Sequence, residues 1–101
     1  MPDTLSFENF VKTIQRGHIF TVTFIKRNSE EVRTMNCRIG VEKHLAGGDL
    51  NYNPLDKGLI VVWDLNKKGY RQIPVEGIVS LVLEGKLYNY DKEKQEFKEI
   101  W

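Results

Sequence analysis

Cysteine is almost missing from this chain of 101 residues, which contains only Cys37. An intramolecular disulfide is therefore impossible, and the composition fits a protein of a reducing cytoplasm. The sequence also lacks any apolar stretch that approaches the roughly 18 residues of a membrane-spanning helix. Residues 1–17 are too polar for a signal peptide. We expect a complete, cytoplasmic protein that does not enter a membrane.

An excess of charge of one sign is also missing. The chain has 15 Lys and Arg against 14 Asp and Glu, a net charge of +1. A dedicated duplex-DNA binder usually has a basic excess, because neutralising phosphates supplies most of its non-specific affinity. Apolar residues make up 41% and charged residues 29% of the chain, as in ordinary globular proteins. We expect one folded domain over residues 1–101, on which a local basic patch remains possible.

Side chains for catalysis and metal binding are scarce. The three serines fit a helix cap, a turn and a strand rather than a nucleophile beside a base. Cys37 alternates with Met35 and Ile39, so we interpret it as a core thiol rather than as a nucleophile served by His18 or His44. Two histidines and one cysteine without ligand spacing fall short of a zinc set. We expect a protein that is not an enzyme and that needs no metal and no cofactor.

The N-terminal segment has the pattern of an amphipathic helix over residues 6–16. Its apolar residues recur at i, i+3, i+4 and i+7, from Phe7 to Ile14. Ser6 can cap the free N–H groups of the first turn, and Gly17 can adopt the left-handed conformation that ends a helix. The sequence therefore predicts one short helix at the start of the domain.

From His18 onwards the apolar period is two, which is typical of strands. The pattern predicts a hairpin of residues 18–25 and 32–38. Residues 59–63 are apolar on both faces and predict a central strand that is covered on both sides. Residues 70–73 predict a short strand, and residues 78–83 predict another that is apolar on both faces. A highly charged extra hairpin can follow at residues 87–101, or that end can fray.

Short strands at this close spacing are typical of a small barrel. The predicted fold is mainly β, a small Sm-like or SH3-like barrel of five to seven strands preceded by one short N-terminal helix. A segment without a sustained period, residues 40–58, interrupts it. A loop of this length is often functional in a compact domain.

Five segments carry a resemblance to a known family. The chain resembles small phage-encoded WYL-like proteins with an Sm-like, SH3-type barrel. The resemblance implies that barrel fold and a phage source, and hence the cytoplasm of an infected host cell. It implies no general activity, and the chain has no Trp-Tyr-Leu run. The segments are Met35–Val41, His44–Gly48, Val62–Leu65, Gly69–Ile73 and Ile78–Leu81.

Basic and aromatic residues supply the candidate binding site. Arginine forms paired hydrogen bonds with phosphates, and tyrosine stacks on bases. If the loops of the barrel converge, such residues form one binding face. The alternative is a solvated surface that is balanced by neighbouring acids. A phosphate cradle at Gly47-Gly48 lacks the usual motif spacing, and a helix stop is the simpler interpretation. Arg33 belongs to the wider basic set, and the candidate binding residues are Arg38, Lys43, His44, Tyr52, Lys57, Lys68, Tyr70 and Arg71.

These observations favour a non-catalytic binding protein that acts in host takeover or against a defence system. Its partner would be a host or defence-system protein, or a small nucleotide signal that it sequesters. The alternative is a nucleic-acid-binding Sm-like module, whose affinity would fall with added salt. The apolar residues Phe97, Ile100 and Trp101 either cover the barrel or pair with a second copy, and we expect a homo-oligomer.

Overall fold

The computed structural model of the chain describes residues 3–39 and 57–100. These residues form a helix, a short 3₁₀ turn and eight strands. The helix α1 is Phe7–Ile14, and the 3₁₀ turn is Val75–Gly77. The strands are β1 (Thr4–Ser6), β2 (Phe20–Ile25), β3 (Val32–Arg38), β4 (Leu59–Asp64), β5 (Gly69–Pro74), β6 (Ile78–Leu83), β7 (Lys86–Asp91) and β8 (Glu96–Glu99).

The eight described strands form one antiparallel sheet in the order β1-β8-β7-β6-β2-β3-β4-β5. The mainly-β class with a short helix near the N-terminus is therefore confirmed. The predicted closed barrel is wrong for the described residues, because their sheet is open and has β1 and β5 at its edges. Among the described residues, β3 pairs with β4 near its C-terminal end, where Cys37 lies opposite Asp64 and Arg38 lies opposite Trp63. The described part of β3 before Asn36 pairs with β2 and not with β4, so the β4–β5 hairpin diverges from the tip of the β2–β3 hairpin.

Local signals in the sequence explain α1 and its ends. The Ser6 side chain accepts a hydrogen bond from the Asn9 N–H at 3.1 Å, as expected of a cap. Gly17 has a φ of +89°, the left-handed conformation that glycine adopts most easily. Phe7, Phe10 and Ile14 are all buried. The helix therefore lays the predicted apolar stripe onto one face of the sheet.

The core lies between α1 and the inner face of the sheet. Every strand from β2 to β8 contributes at least one buried apolar residue to this single cluster. Aromatic rings connect the helix to the sheet, with the ring centroid of Phe10 lying 4.8 Å from that of Phe97 and 5.6 Å from that of Phe20. Tilted and edge-to-face pairs of this kind add to the stabilisation from burial alone.

The last hairpin forms, with β7 and β8 in register from Tyr88↔Glu99 to Asp91↔Glu96. β1 adds to its far side, which accounts for one more strand than the predicted five to seven. The three residues of β1 are too few to show an alternating pattern. The strand predicted at residues 78–83 forms as β6 and is apolar on both faces, and its outward residues Val79 and Val82 are exposed. Its outer face has no covering layer among the described residues.

Candidate binding groove

A groove of about 640 Å³ lies where the two hairpins diverge. One wall is the end of the β2–β3 hairpin, and the other is the β4–β5 hairpin. Phe24 and Met35 contribute apolar surface to its base. Leu59 and Pro74, which pair across β4 and β5, lie at one end of the groove. The groove thus opens beside the tip of the β2–β3 hairpin, where β3 does not pair with β4 among the described residues.

Cationic side chains dominate the described lining of this groove. Five basic residues contribute to it against a single carboxylate, that of Asp64. Glu31 and Glu76 lie outside the lining but pair with Lys26, Arg33 and Arg27, so five cations against three carboxylates leave a local excess of two positive charges. A concave surface with charges of one sign attracts ligands of the opposite sign. The five basic residues are Lys26, Arg27, Arg33, Lys67 and Arg71.

Strand pairing places two of these arginines on the inner face of the sheet. Arg33 lies directly opposite Phe24, and Arg71 lies directly opposite Val62. Directly opposed residues of an antiparallel pair point to the same face, and both Phe24 and Val62 are buried core residues. The two guanidinium groups therefore enter the groove from opposite walls, one on β3 and the other on β5.

Asp64 organises the β5 side of the groove. Its Oδ1 accepts hydrogen bonds from the backbone N–H groups of Asn66 at 2.9 Å and Lys67 at 3.0 Å. Its Oδ2 lies 3.8 Å from Nε of Arg71, which makes an ion pair. Asp64 is buried, and it is thereby satisfied by the turn and by Arg71. This carboxylate fixes both the turn that carries Lys67 and the position of Arg71.

The opposite wall has looser ion pairs. Glu31 Oε2 lies 3.7 Å from an Arg33 nitrogen and 4.0 Å from Nζ of Lys26. All three side chains are exposed by about half, so these pairs are screened by water and contribute little to stability. A bound anion can therefore replace Glu31 as their partner at small cost.

The predicted candidate residues that the structure describes lie on more than one surface. Arg71 lines the groove, but Lys57 and Lys68 are exposed outside it. Arg38 pairs with Trp63 on the other face of the sheet, where Tyr70 packs edge-on against Trp63 at 4.9 Å. The other three candidates, Lys43, His44 and Tyr52, lie outside the described residues, as does most of the segment 40–58.

Among the charged lining residues, sequence reasoning did not include four in the candidate binding site, namely Lys26, Arg27, Asp64 and Lys67. Arg33 was in the wider basic set only. The two turns, at residues 26–31 and 65–68, are far apart in the chain and meet only through the sheet. A sequence signal was nevertheless present, because each of these polar turns carries adjacent basic residues.

Chemistry other than binding finds little support within the described ranges. Cys37 is buried, and burial together with the nearby Asp64 charge raises its pKa to about 12. Its thiol lies 3.7 Å from the Phe20 carbonyl oxygen, in the core and away from solvent. Within residues 3–39 and 57–100, no three His, Cys, Asp or Glu side chains cluster in a way that could hold a metal ion.

Comparison with known proteins adds no assignment. The chain matches no protein-family model, no curated protein and no solved structure. The helix that the structure describes is too short to cross a membrane. The groove is therefore interpreted from its own residues.

Proposed function

We propose that this protein is a non-catalytic binding protein that holds a phosphate-bearing small molecule, a nucleotide, in the groove between β3 and β5. The observation that carries the proposal is the concentration of five basic residues around a single concave opening. Its volume of about 640 Å³ falls within the roughly 300–1,000 Å³ of typical small-molecule sites.

The lining chemistry suits the two parts of a nucleotide. Arg33 and Arg71 carry planar guanidinium groups, which form paired hydrogen bonds with phosphate oxygens. Lys26 and Lys67 add flexible positive charge at the rim. Phe24 and Met35 are buried beneath them and make the base of the groove apolar, which suits the flat, weakly polar part of a nucleotide. A ligand with both an anionic and a flat apolar part would use every one of these groups.

The biological role in this proposal follows from the family resemblance. A phage protein that sequesters a nucleotide signal of the host or of a defence system acts by keeping the nucleotide bound. It does not need to convert the nucleotide chemically. The resemblance to phage-encoded WYL-like proteins supports that setting. The chain has almost no net charge with which to hold a long polyanion through many phosphate contacts. The proposal therefore commits to a small nucleotide.

Isothermal titration calorimetry with a panel of mononucleotides, cyclic dinucleotides and inorganic phosphate tests the proposal. We expect at least one nucleotide to bind stoichiometrically. At a ligand concentration of about 100 times its Kd, the free energy of unfolding should rise by about 2.7 kcal/mol. Arg33→Ala and Arg71→Ala should each weaken binding by at least about 10-fold, the effect of losing one charge-assisted hydrogen bond.

Lys12→Ala is the matched control, because Lys12 lies on the exposed face of α1 and pairs only with Glu8 in that helix. It removes one positive charge without touching the groove. Equal weakening by Lys12→Ala would contradict the proposal, and so would a panel without any binder. Tight binding of an RNA oligomer, with affinity falling steeply as salt rises, would replace the nucleotide with a nucleic acid.

A further inference from the structure

The three carboxylates that pair with the groove cations differ in how firmly they are held. Asp64 is buried and also accepts two backbone hydrogen bonds, which fix its carboxylate beside Arg71. Glu76 accepts two hydrogen bonds from Arg27, at 2.9 and 3.3 Å. Hydrogen bonds between a carboxylate and a guanidinium are among the strongest in proteins. Neither carboxylate can therefore leave its arginine at small cost.

The third carboxylate, that of Glu31, is held by charge alone. Its Oε2 lies 3.7 Å from Nη2 of Arg33 and 4.0 Å from Nζ of Lys26, and both distances are longer than a hydrogen bond. The Glu31 side chain is 56% exposed. Its backbone is fixed, because its carbonyl oxygen accepts a hydrogen bond from the Lys26 N–H at 2.8 Å. The turn therefore keeps this carboxylate close to both cations and leaves it free to exchange.

We infer, on the basis of the proposed function, that Glu31 is an internal competitor for the phosphate of the bound nucleotide, which takes Lys26 and Arg33 as its partners. A phosphodiester has one negative charge, so it would only restore the charge that Glu31 already supplies. A terminal phosphomonoester has about 1.5 to 2 negative charges at pH 7 and three strong acceptor oxygens. The exchange therefore favours a nucleotide with a terminal phosphate.

Lys67 adds to the preference for a highly charged phosphate. It lines the groove, and among the carboxylates that the structure describes none pairs with it. Once Glu31 is displaced, five cations face only the two carboxylates of Asp64 and Glu76. The local excess then rises from two positive charges to three, which a single negative charge cannot balance.

Isothermal titration calorimetry with the 5′-monophosphates and the 3′,5′-cyclic monophosphates of adenosine and guanosine tests this exchange. Glu31→Gln should bind the 5′-monophosphates about 3- to 10-fold more tightly than the unaltered chain, because two exposed ion pairs no longer compete. In the unaltered chain, a 5′-monophosphate should bind more tightly than the cyclic form of the same nucleoside. The substitution leaves the backbone hydrogen bonds of the turn in place, which an unchanged circular dichroism spectrum checks.

Glu30→Gln is the matched control. It removes the same charge at the neighbouring position, whose side chain pairs with none of the described cations. Its effect on affinity should be less than about 2-fold. A double-mutant cycle separates competition from simple repulsion between Glu31 and the phosphate. If Glu31 acts by occupying Arg33, Glu31→Gln tightens binding less in the Arg33→Ala background than in the unaltered chain.

The outcomes distinguish the role of Glu31 from the proposed function. Suppose that a 5′-monophosphate binds, but Glu31→Gln strengthens binding no more than Glu30→Gln does. That result would overturn the role of Glu31 and leave the nucleotide site in place. A cyclic monophosphate that binds as tightly as the 5′-monophosphate would also overturn it. Failure of the whole nucleotide panel to bind, both to the unaltered chain and to Glu31→Gln, would contradict the proposed function itself.

Discussion

Arg27 binds the carboxylate of Glu76 through two hydrogen bonds, from Nε at 2.9 Å and from Nη2 at 3.3 Å. A third bond joins Nη2 to the Gly58 carbonyl oxygen at 3.3 Å. These contacts connect the turn after β2 to the 3₁₀ turn after β5 and to the residue before β4. At the open end of the groove, the two hairpins are therefore joined by hydrogen bonds of the Arg27 side chain rather than by pairing between strands.

The Arg27–Glu76 ion pair should make the free energy of unfolding depend on pH. The hydrogen bond from Arg27 holds the pKa of Glu76 below its ordinary value of 4.5. A carboxyl group whose pKa is lowered on folding stabilises the protein above its unfolded pKa, and that stabilisation is lost as the pH falls through the folded pKa. Urea unfolding should therefore show a smaller loss of stability below about pH 5 in Glu76→Gln than in the unaltered chain.

Asp3 supplies the comparison for that measurement. Its hydrogen bond and ion pair with Lys86 lower its pKa in the same direction. The double variant Glu76→Gln/Asp3→Asn should therefore lose less unfolding free energy at acid pH than either single variant does. Because all four side chains are exposed, each effect will be small. If the double variant and the unaltered chain lost the same unfolding free energy at acid pH, the assignment of these two pairs would be contradicted.

Gly77 should tolerate no side chain. A Cβ at this position would lie 2.3 Å from the Ile25 carbonyl oxygen, which belongs to rigid strand backbone. We expect Gly77→Ala to lower the free energy of unfolding by at least about 1–3 kcal/mol, as overpacking of a core does. Gly69→Ala meets nothing within 4 Å and should change stability by less than about 0.5 kcal/mol. Urea denaturation midpoints of the two variants measure the contrast.

Phe10 should be among the most important core residues. Its ring contacts those of Phe7, Phe20 and Phe97, with centroid distances between 4.8 and 5.6 Å. Phe10→Ala should reduce stability by about 3–5 kcal/mol and lower the thermal midpoint accordingly. Lys12→Ala, on the exposed side of the same helix, should have almost no effect. Similar losses in the two variants would mean that α1 does not pack on the sheet as described.

Cys37 should resist thiol reagents in the folded protein. Burial, with a contribution from the Asp64 charge, raises its pKa to about 12, so almost no thiolate forms at pH 8. We expect no reaction with an aromatic disulfide reagent at pH 8 over hours, and one equivalent of reaction in denaturant. Rapid labelling of the folded chain would show that this thiol is accessible.

The elements that the sequence predicted correctly depend on neighbours in the chain. Helix α1 follows from the spacing of Phe7, Phe10 and Ile14, and each hairpin follows from alternation around a polar turn. Closure of the sheet depends instead on the strands at its two edges, which lie far apart in the chain. No local pattern reports that β1 and β5 remain the edges of the described sheet. The mainly-β fold class could therefore be predicted from the sequence. The open form of the described sheet could not.

The candidate site was harder to predict for the same reason. Arg71 was one of the basic candidates and lines the groove, but its groove partners Lys26 and Arg33 lie more than 30 residues earlier. The apolar run of β6 posed a different difficulty. Its sequence shows apolar residues on both faces but not which of them are covered, and Val79 and Val82 are exposed. The hydrophobicity of a strand face indicates that covering it would be favourable. It does not indicate whether another part of this chain covers it.

The pairing of β1 with β8 has a consequence for how the protein is made. Phe7 stacks on Phe97 with ring centroids 6.2 Å apart, although the two residues are separated by 90 positions in the chain. At a ribosomal rate of about 5–20 residues per second, Phe97 emerges roughly 5–18 s after Phe7. Throughout that interval the apolar stripe of the first helix has no finished sheet to cover it. A chain that ends before β8 lacks Phe97, against which Phe7 packs, so we expect α1 to dock incompletely in a product of that length.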